Sequence, residues 1–301
     1  MKKTFFPKNI KILITGGAGY IGSNLISAIL KNSDNPRITS IDNYTSGKLK
    51  NHHPGVEYIN LSTEKIFELN SFDFDYIYHF GEYSRVENSF TFINDIFESN
   101  LVGTSKVLNF WTRTNAKLIY SGSSTKFAKY TPEDRETPYA ISKRINSELV
   151  KGFGHSLNKH FSIVYFYNVF GKNENYSDKY GTVISRFLKL KMEGKILPVN
   201  LPGTQKRNFT YIDDTINGIL LASRDGNGDG YGIGNDKSYT ILDLAKLFES
   251  EIKYCPEQSG NRESALIVNE KLKNLGWSTS MDLEEYIKFL KKNEWVRDER
   301  F

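Results

Sequence analysis

The sequence predicts an α/β fold, a doubly wound parallel sheet with a smaller C-terminal substrate-binding region. Three observations predict it: strand-length apolar runs, stretches of helical period between them, and a change to glycine-rich, irregular sequence beyond Gly171. Residues 10–15 (IKILIT) form a short apolar run ending in glycines, as a buried parallel strand does. Residues 21–31 (IGSNLISAILK) then place apolar groups at helical spacing, and strands follow at 37–41 and near 56–59. The runs 75–80 (DYIYHF) and 117–121 (KLIYS) supply the next two strands. A helix over 94–111 lies between them, marked by Ile96, Leu101, Val102, Val107 and Leu108. A helix at about 138–158 leads to a further strand at 161–166 (FSIVYF). Residues 1–167 are expected to form mainly one region and 168–301 mainly the other, with some later segments returning to the first. The stretch 225–232 (DGNGDGYG) reads as a surface turn, since it lacks the full ligand pattern of a calcium loop.

Composition narrows the class further. Among 301 residues, 39% are hydrophobic and 25% charged, an ordinary balance for a chain with a sizeable core. The 20 Phe and 18 Tyr are expected to be mostly packing. A net charge of +5, from 40 basic and 35 acidic residues, is small and dispersed, which argues against a nucleic-acid partner. Cys255 is the sole cysteine, so an intramolecular disulfide and a multi-cysteine metal site are both excluded, and no metal is expected. No run reaches the ~18 apolar residues of a membrane helix. The start, MKKTFFPKNIKILITGG, does not read as a signal peptide, so the cytoplasm is the expected location.

The first strand runs into overlapping glycine patterns. Gly16, Gly19 and Gly22 make G-x-x-G-x-x-G, and Gly17, Gly19 and Gly22 make G-x-G-x-x-G. Such glycines permit a tight strand-to-helix turn and let the backbone approach a pyrophosphate, which the helix N-terminus then attracts. Set between a buried strand and an amphipathic helix, the pattern is a Rossmann-type dinucleotide fingerprint. Asp42, 20 residues past Gly22, ends the second strand, where a carboxylate accepts from adenosine ribose hydroxyls. Its charge would repel a ribose phosphate, so NAD is favoured over NADP.

Further on, Tyr139 and Lys143 form Y-x-x-x-K, with Pro138 suited to the first turn of the helix that carries them. Spacing of four puts both side chains on one face, where an ammonium favours the anionic form of a phenol. A tyrosinate can then take a hydroxyl proton as hydride leaves the same carbon. Ser121, Ser123, Ser124 and Thr125 crowd the C-terminal end of the strand at 117–121, the edge at which ligands bind in open α/β sheets.

These residues, with DNYTSGK at 42–48, HFGEYSRVENS at 79–89, NLVGT at 100–104, YNVFG at 167–171, QKRNFTYIDD at 205–214 and NR at 261–262, resemble the extended short-chain dehydrogenase/reductases. The likeness is to their NAD-dependent epimerase/dehydratase group, and to its UDP-glucose and UDP-N-acetylglucosamine 4-epimerases in particular. It implies a catalytic set of Ser123, Tyr139 and Lys143. It implies cofactor contacts from Gly16, Gly19, Tyr20, Ile21, Gly22, Asp42, Asn43, Asn100, Ser121, Tyr139 and Lys143. It also implies that Asn168, Arg207 and Arg262 join Ser123 and Tyr139 in holding a nucleotide sugar, the arginines at its diphosphate. Tightly bound NAD and a homodimer are further implications. Asp213 and Asp214 are expected to cap a helix, and His79 to be a structural or cofactor-side group.

Three departures from the family pattern stand out. Ser62 takes the place of an aspartate near the adenine, the segment from Ser123 to Tyr139 is short, and Gly81-Glu82 replaces small apolar residues beside the nicotinamide. Sugar 4,6-dehydratases of the group typically carry Asp and Glu just after the catalytic hydroxyl residue. Ser124 and Thr125 stand there instead, so a 4-epimerase working through a transient 4-keto sugar is preferred, with a 4,6-dehydratase or another nucleotide-sugar oxidoreductase as the alternative. A non-catalytic NAD-binding regulator is the alternative of another class, disfavoured by the intact Ser–Tyr–Lys set.

Overall fold

The computed structural model describes residues 5–86, 89–129, 136–177, 180–257 and 262–296. Strands β1 (Lys11–Thr15), β2 (Arg37–Asp42), β3 (Val56–Asn60), β4 (Tyr76–His79), β5 (Lys117–Ser123), β6 (Phe161–Phe166) and β7 (Gly228–Ile233) form one sheet. Its order is β7-β6-β5-β4-β1-β2-β3, with every neighbouring pair parallel. The chain winds outward from β1 through β2 and β3, then returns to the other side of β1 with β4. The crevice between the C-terminal ends of β1 and β4 is therefore the point where strand order reverses, the ligand position of open α/β sheets.

Alternation along each strand sends apolar side chains to both faces. Ile12, Ile14, Tyr78, Ile119 and Val164 pack on helix α1 (Tyr20–Asn32) through Leu25, Ile26 and Ile29, and on α4 (Ile212–Arg224) through Ile216, Ile219 and Leu220. Leu13, Ile77, Leu118, Tyr120, Ile163 and Tyr165 face the opposite layer. There they meet Val107, Leu108 and Trp111 of α2 (Gly103–Thr112) and Val150 of α3 (Pro138–Ser156). Each aliphatic side chain buried this way contributes roughly 1.5–3 kcal/mol over leaving it in water. Helix α3 starts where its sequence dictates: Thr137 Oγ1 accepts from Ala140 N at 3.2 Å, and Pro138 occupies the first helical position.

Two of the predicted elements need correction. The helix expected over 94–111 is α-helical at Ile93–Ile96, π-helical at Phe97–Val102 and α-helical again in α2. Asn146 of α3 donates to Asn100 O at 2.8 Å, and Gly103 N–H reaches back to Glu98 O, so an inserted side chain widens that turn. The stretch 225–232 is more than a surface turn, because Gly228–Ile233 is the edge strand β7. Its register against β6 shifts between Gly228 and Tyr231, and glycines are at home in such a bulge. Buried Tyr231 and Ile233 provide the apolar anchors.

Beyond β6 the chain builds small two-stranded ribbons. Val169–Phe170 pairs with Thr210–Tyr211, Lys206–Asn208 with Ser238–Thr240, Leu197–Asn200 with Ile252–Cys255, and Ser264–Ala265 with Ala128–Lys129. Asp213 and Asp214 lie in the first turn of α4 and are not its caps, since Tyr211 holds that position with no side-chain bond. Asp214 instead accepts from Ser280 N at 2.9 Å, pinning the C-terminal segment, and Asp213 pairs with Lys172 at 2.8 Å. Among the described residues, no helix is long and apolar enough to cross a membrane.

Candidate active site

A cleft of about 1310 Å³ opens over the C-terminal ends of the central strands. At one end lies the turn from β1 to α1. Gly16 has φ +76°, and a Cβ there would stand 2.9 Å from the backbone of Gly81. That approach explains why Gly81 is glycine too, since its own Cβ would meet Gly16 N at 3.0 Å. A Cβ on Gly22 would fall 2.2 Å from Gly16 O, so the turn closes only without side chains. Helix α1 then begins at Tyr20 without a side-chain cap, the arrangement that offers a helix N-terminus to an anion. Asp42, at the end of β2, accepts from Ala18 N at 3.0 Å and Tyr44 N at 2.8 Å. Burial pushes its carboxyl up, opposed by those two N–H groups and by His52.

At the middle of the cleft β5 and α3 bring the chemistry together. Tyr139 and Lys143 lie one turn apart on α3, 8% and 5% exposed, and both line the cleft with Ser121 and Ser123. Tyr139 N donates to Ser89 Oγ at 2.8 Å, which fixes the first turn of the helix. Ser123 Oγ accepts from Thr125 N at 3.3 Å and from Thr125 Oγ1 at 2.9 Å, leaving its own proton to donate. Lys143 Nζ donates to Ser121 O and to the Glu82 carboxylate, and sits 4.6 Å over the Tyr120 ring.

Glu82 belongs to a buried polar chain beneath this pair. Its Oε1 accepts from Thr104 Oγ1 at 2.8 Å, Asn146 Nδ2 at 2.8 Å and Tyr120 OH at 3.1 Å. His79 bridges Thr104 Oγ1 at 2.9 Å and Thr15 Oγ1 at 2.8 Å. Because Thr104 spends its proton on Glu82, His79 Nε2 donates to Thr104, and Thr15 donates to Nδ1. The imidazole is thus neutral, and burial drives it down to about 4 despite the Glu82 charge. Burial works to raise the Glu82 carboxyl, but the Lys143 ammonium and the hydrogen bonds from Lys143 and Thr104 bring it below its ordinary value. Burial first, and the Glu82 charge second, raise Tyr120 well above the ordinary phenol range.

The far end is built from the ribbons. Asn168, in the left-handed region at φ +35°, donates through Nδ2 to Asn208 O at 2.8 Å. Arg207 Nη1 donates to Arg262 O at 2.9 Å, and Arg262 Nη2 to Ser124 Oγ at 3.1 Å. Two arginines separated by 55 residues of chain are thereby held on one wall.

Of the residues that the resemblance assigns to catalysis, cofactor or nucleotide sugar, all but Asn100 line this cleft. Asn100 was expected to touch cofactor, but it is completely buried one layer behind. Its side chain accepts from Tyr83 N at 2.7 Å and donates to Ser142 Oγ at 3.0 Å, so it braces the loop after β4 against α3. The π-helical turn that carries it directs the side chain there. Sequence reasoning missed Thr104 and Asn146, although Asn146 lies three residues past Lys143 and shares its helix face. Cys255 is half-buried in a ribbon strand.

Residues 12–234 match the family model described as the NAD dependent epimerase/dehydratase family. The chain belongs to that family. It is 26% identical to UDP-glucuronic acid decarboxylase 6 of Arabidopsis thaliana, covering 97% of this chain and 91% of the relative. It is 27% identical to a putative UDP-glucose 4-epimerase of Methanocaldococcus jannaschii, with 92% and 96% covered. The fold matches the crystal structure of UDP-glucose 4-epimerase from Thermotoga maritima with a TM-score of 0.83 at 23% identity, over 95% of this chain and all of that one. The protein is therefore an enzyme of an NAD-dependent family, and its cleft fits that cofactor. The tight turn at Gly16–Gly22 brings the uncapped start of α1 to the cleft, where it would hold a pyrophosphate, and Asp42 on the same wall would meet an adenosine ribose.

Proposed function

We propose that the protein is a nucleotide-sugar 4-epimerase that acts on a UDP-hexose through a transient 4-keto sugar. Bound NAD supplies the hydride acceptor and gives the hydride back. The chain's own groups do the rest. Tyr139 takes the proton of the 4-hydroxyl and later returns it, Lys143 stabilises the anionic phenol, and Ser123 donates to the reacting oxygen. Asn168, Arg207 and Arg262 hold the nucleotide sugar, the arginines at its diphosphate, so that the ketone turns while the rest stays anchored.

One observation carries the choice of reaction: among the described residues, the groups beside Ser123 include no acid able to eliminate water. Ser124 accepts from Arg262, Thr125 donates to Ser123, and both are buried hydroxyls. Glu82, the carboxylate at this end, is an ion-paired anion with no proton to give. A decarboxylase is the second reading, favoured by the decarboxylase relative. Oxidation at the fourth carbon of a glucuronide makes a β-keto acid, whose loss of carbon dioxide needs no added acid.

Proton NMR in heavy water, with no cofactor added, separates these outcomes. UDP-glucose or UDP-N-acetylglucosamine should yield the galacto isomer without solvent deuterium, which would also show that NAD stays bound. A 6-deoxy methyl signal would replace the epimerase with a dehydratase, and a pentose formed from UDP-glucuronate with a decarboxylase. We further infer a cytoplasmic homodimer joined through α3, where Ile145, Leu149 and Phe153 expose an apolar stripe at four-residue spacing. Exposed Ile93 and Val102 extend it on the neighbouring helical run. Sedimentation of Leu149→Glu as a monomer, and of the unaltered protein as a dimer, is the expected result.

A further inference from the structure

The chemistry above gives Glu82 no part, yet its carboxylate is among the most closely held groups in the molecule. Its side chain is 3% exposed, with Lys143 on Oε2 and Thr104, Tyr120 and Asn146 on Oε1. We propose that Glu82 is a positioning residue for the Tyr139–Lys143 pair. It is a built-in counter-ion that aims the lysine and offsets its charge, so that Tyr139 keeps its proton to a higher pH than the lysine alone would allow. This role rests on the reading of Tyr139 as the proton carrier.

The geometry of Lys143 supports it. An ammonium has three N–H groups, and Glu82 Oε2 and Ser121 O take two of them. Only the third is left to turn between Ser121 Oγ, 3.4 Å away, and the cleft. Electrostatics supports it too. An ammonium within ~4–6 Å lowers the pH at which an acidic group ionises by roughly one to three units. A carboxylate in contact with that ammonium cancels part of its field at the phenol. Among the described residues, the other ionisable groups packed around the pair do not take over this role. His79, from β4, is neutral, and Tyr120, from β5, is a neutral phenol. Arg85, from the loop after β4, donates to Tyr180 O, Tyr83 and Tyr180 pack as rings in the same apolar cluster as Tyr139, and Asp95 and Glu98 line the cleft wall. A group that must take and return one proton in every turnover works best when neither form is strongly favoured.

The test is carbon NMR of the NAD-loaded protein, with tyrosine labelled at the ring carbon bearing the hydroxyl and Tyr139 assigned through Tyr139→Phe. No sugar is needed. Glu82→Gln should bring the Tyr139 phenolate signal in about one pH unit lower. Glu82→Asp, one methylene short, should give a smaller shift in the same direction, and it decides the matter alone if the glutamine variant does not fold. A phenolate signal that stays in place or moves to higher pH in the folded variant overturns the role and leaves Glu82 a structural brace. Where a sugar turns over, the acid limb of its pH–rate profile should follow the phenolate. A shifted phenolate in a protein that epimerises nothing would sink the 4-epimerase reading and leave Glu82's role standing.

Discussion

The two ends of the cleft are built in different ways. At the cofactor end, recognition rests on backbone: a glycine turn closed to side chains, a helix terminus, and one carboxylate held by two N–H groups. All of it stands on adjacent strands of one sheet and comes from a short length of chain. At the proposed sugar end, the groups are long side chains on a three-residue strand and on the segments flanking two-residue strands, brought together from distant parts of the sequence. The first end can be rigid and uniform, because every dinucleotide offers it the same pyrophosphate. The second is free to vary, since ribbons and side chains change without disturbing the main sheet.

Substitutions can break that division or sharpen it. The largest effect is expected where the ends meet: Tyr139→Phe should lower kcat by about 10²–10⁴-fold. Titration calorimetry should show NAD and UDP still binding, since neither end has been altered. His79 lies under the junction and ties β1 and β4 to α2 through two threonines. Its folded value, near 4, lies below its ordinary 6.5, so the unfolded chain takes up the proton first as pH falls. Stability held above pH 6.5 should therefore be lost between 6.5 and 4, by up to about 3 kcal/mol from this group. Urea unfolding across that range, compared with His79→Gln, isolates the contribution, and parallel curves would refute it.

Smaller effects separate the ends themselves. Gly22→Ala forces a methyl against Gly16 O, a strain of about 1–3 kcal/mol. It should weaken NAD by roughly ten- to a hundredfold and leave UDP affinity alone. Arg262→Ala should do the reverse, raising the KM for nucleotide sugar by about tenfold with NAD affinity unchanged. If either variant weakened both ligands equally, the division would be wrong.

The same contrast explains how much could be read in advance. Apolar runs and glycine spacing are local, so β1 through β6 and the turn at Gly16–Gly22 were legible to within a few residues. Tyr139 and Lys143 share a helix face, which spacing alone reveals. The π-helical turn was not legible, because its cause is Asn146, 46 residues away in sequence. Neither was β7, whose glycines mimic a loop and whose strand character comes from lying against β6. Arg207 and Arg262 could be named only through family resemblance, as nothing local distinguishes them from solvated surface charges. Glu82 was conspicuous as a departure, but its partners come from several separate elements and could not be assembled from sequence.

Strand β7 has a consequence for the chain as it is made. A ribosome adds roughly 5–20 residues each second, so the outer edge of β6 waits about three to twelve seconds before the strand that covers it is synthesised. During that interval an apolar strand shows bare backbone N–H and C=O groups, an invitation to pair with the wrong partner. The nascent protein is thus most prone to aggregate after its cofactor fold has largely formed and before residue 233 emerges. Chains that stall or are cut within that window should be the ones that chaperones hold.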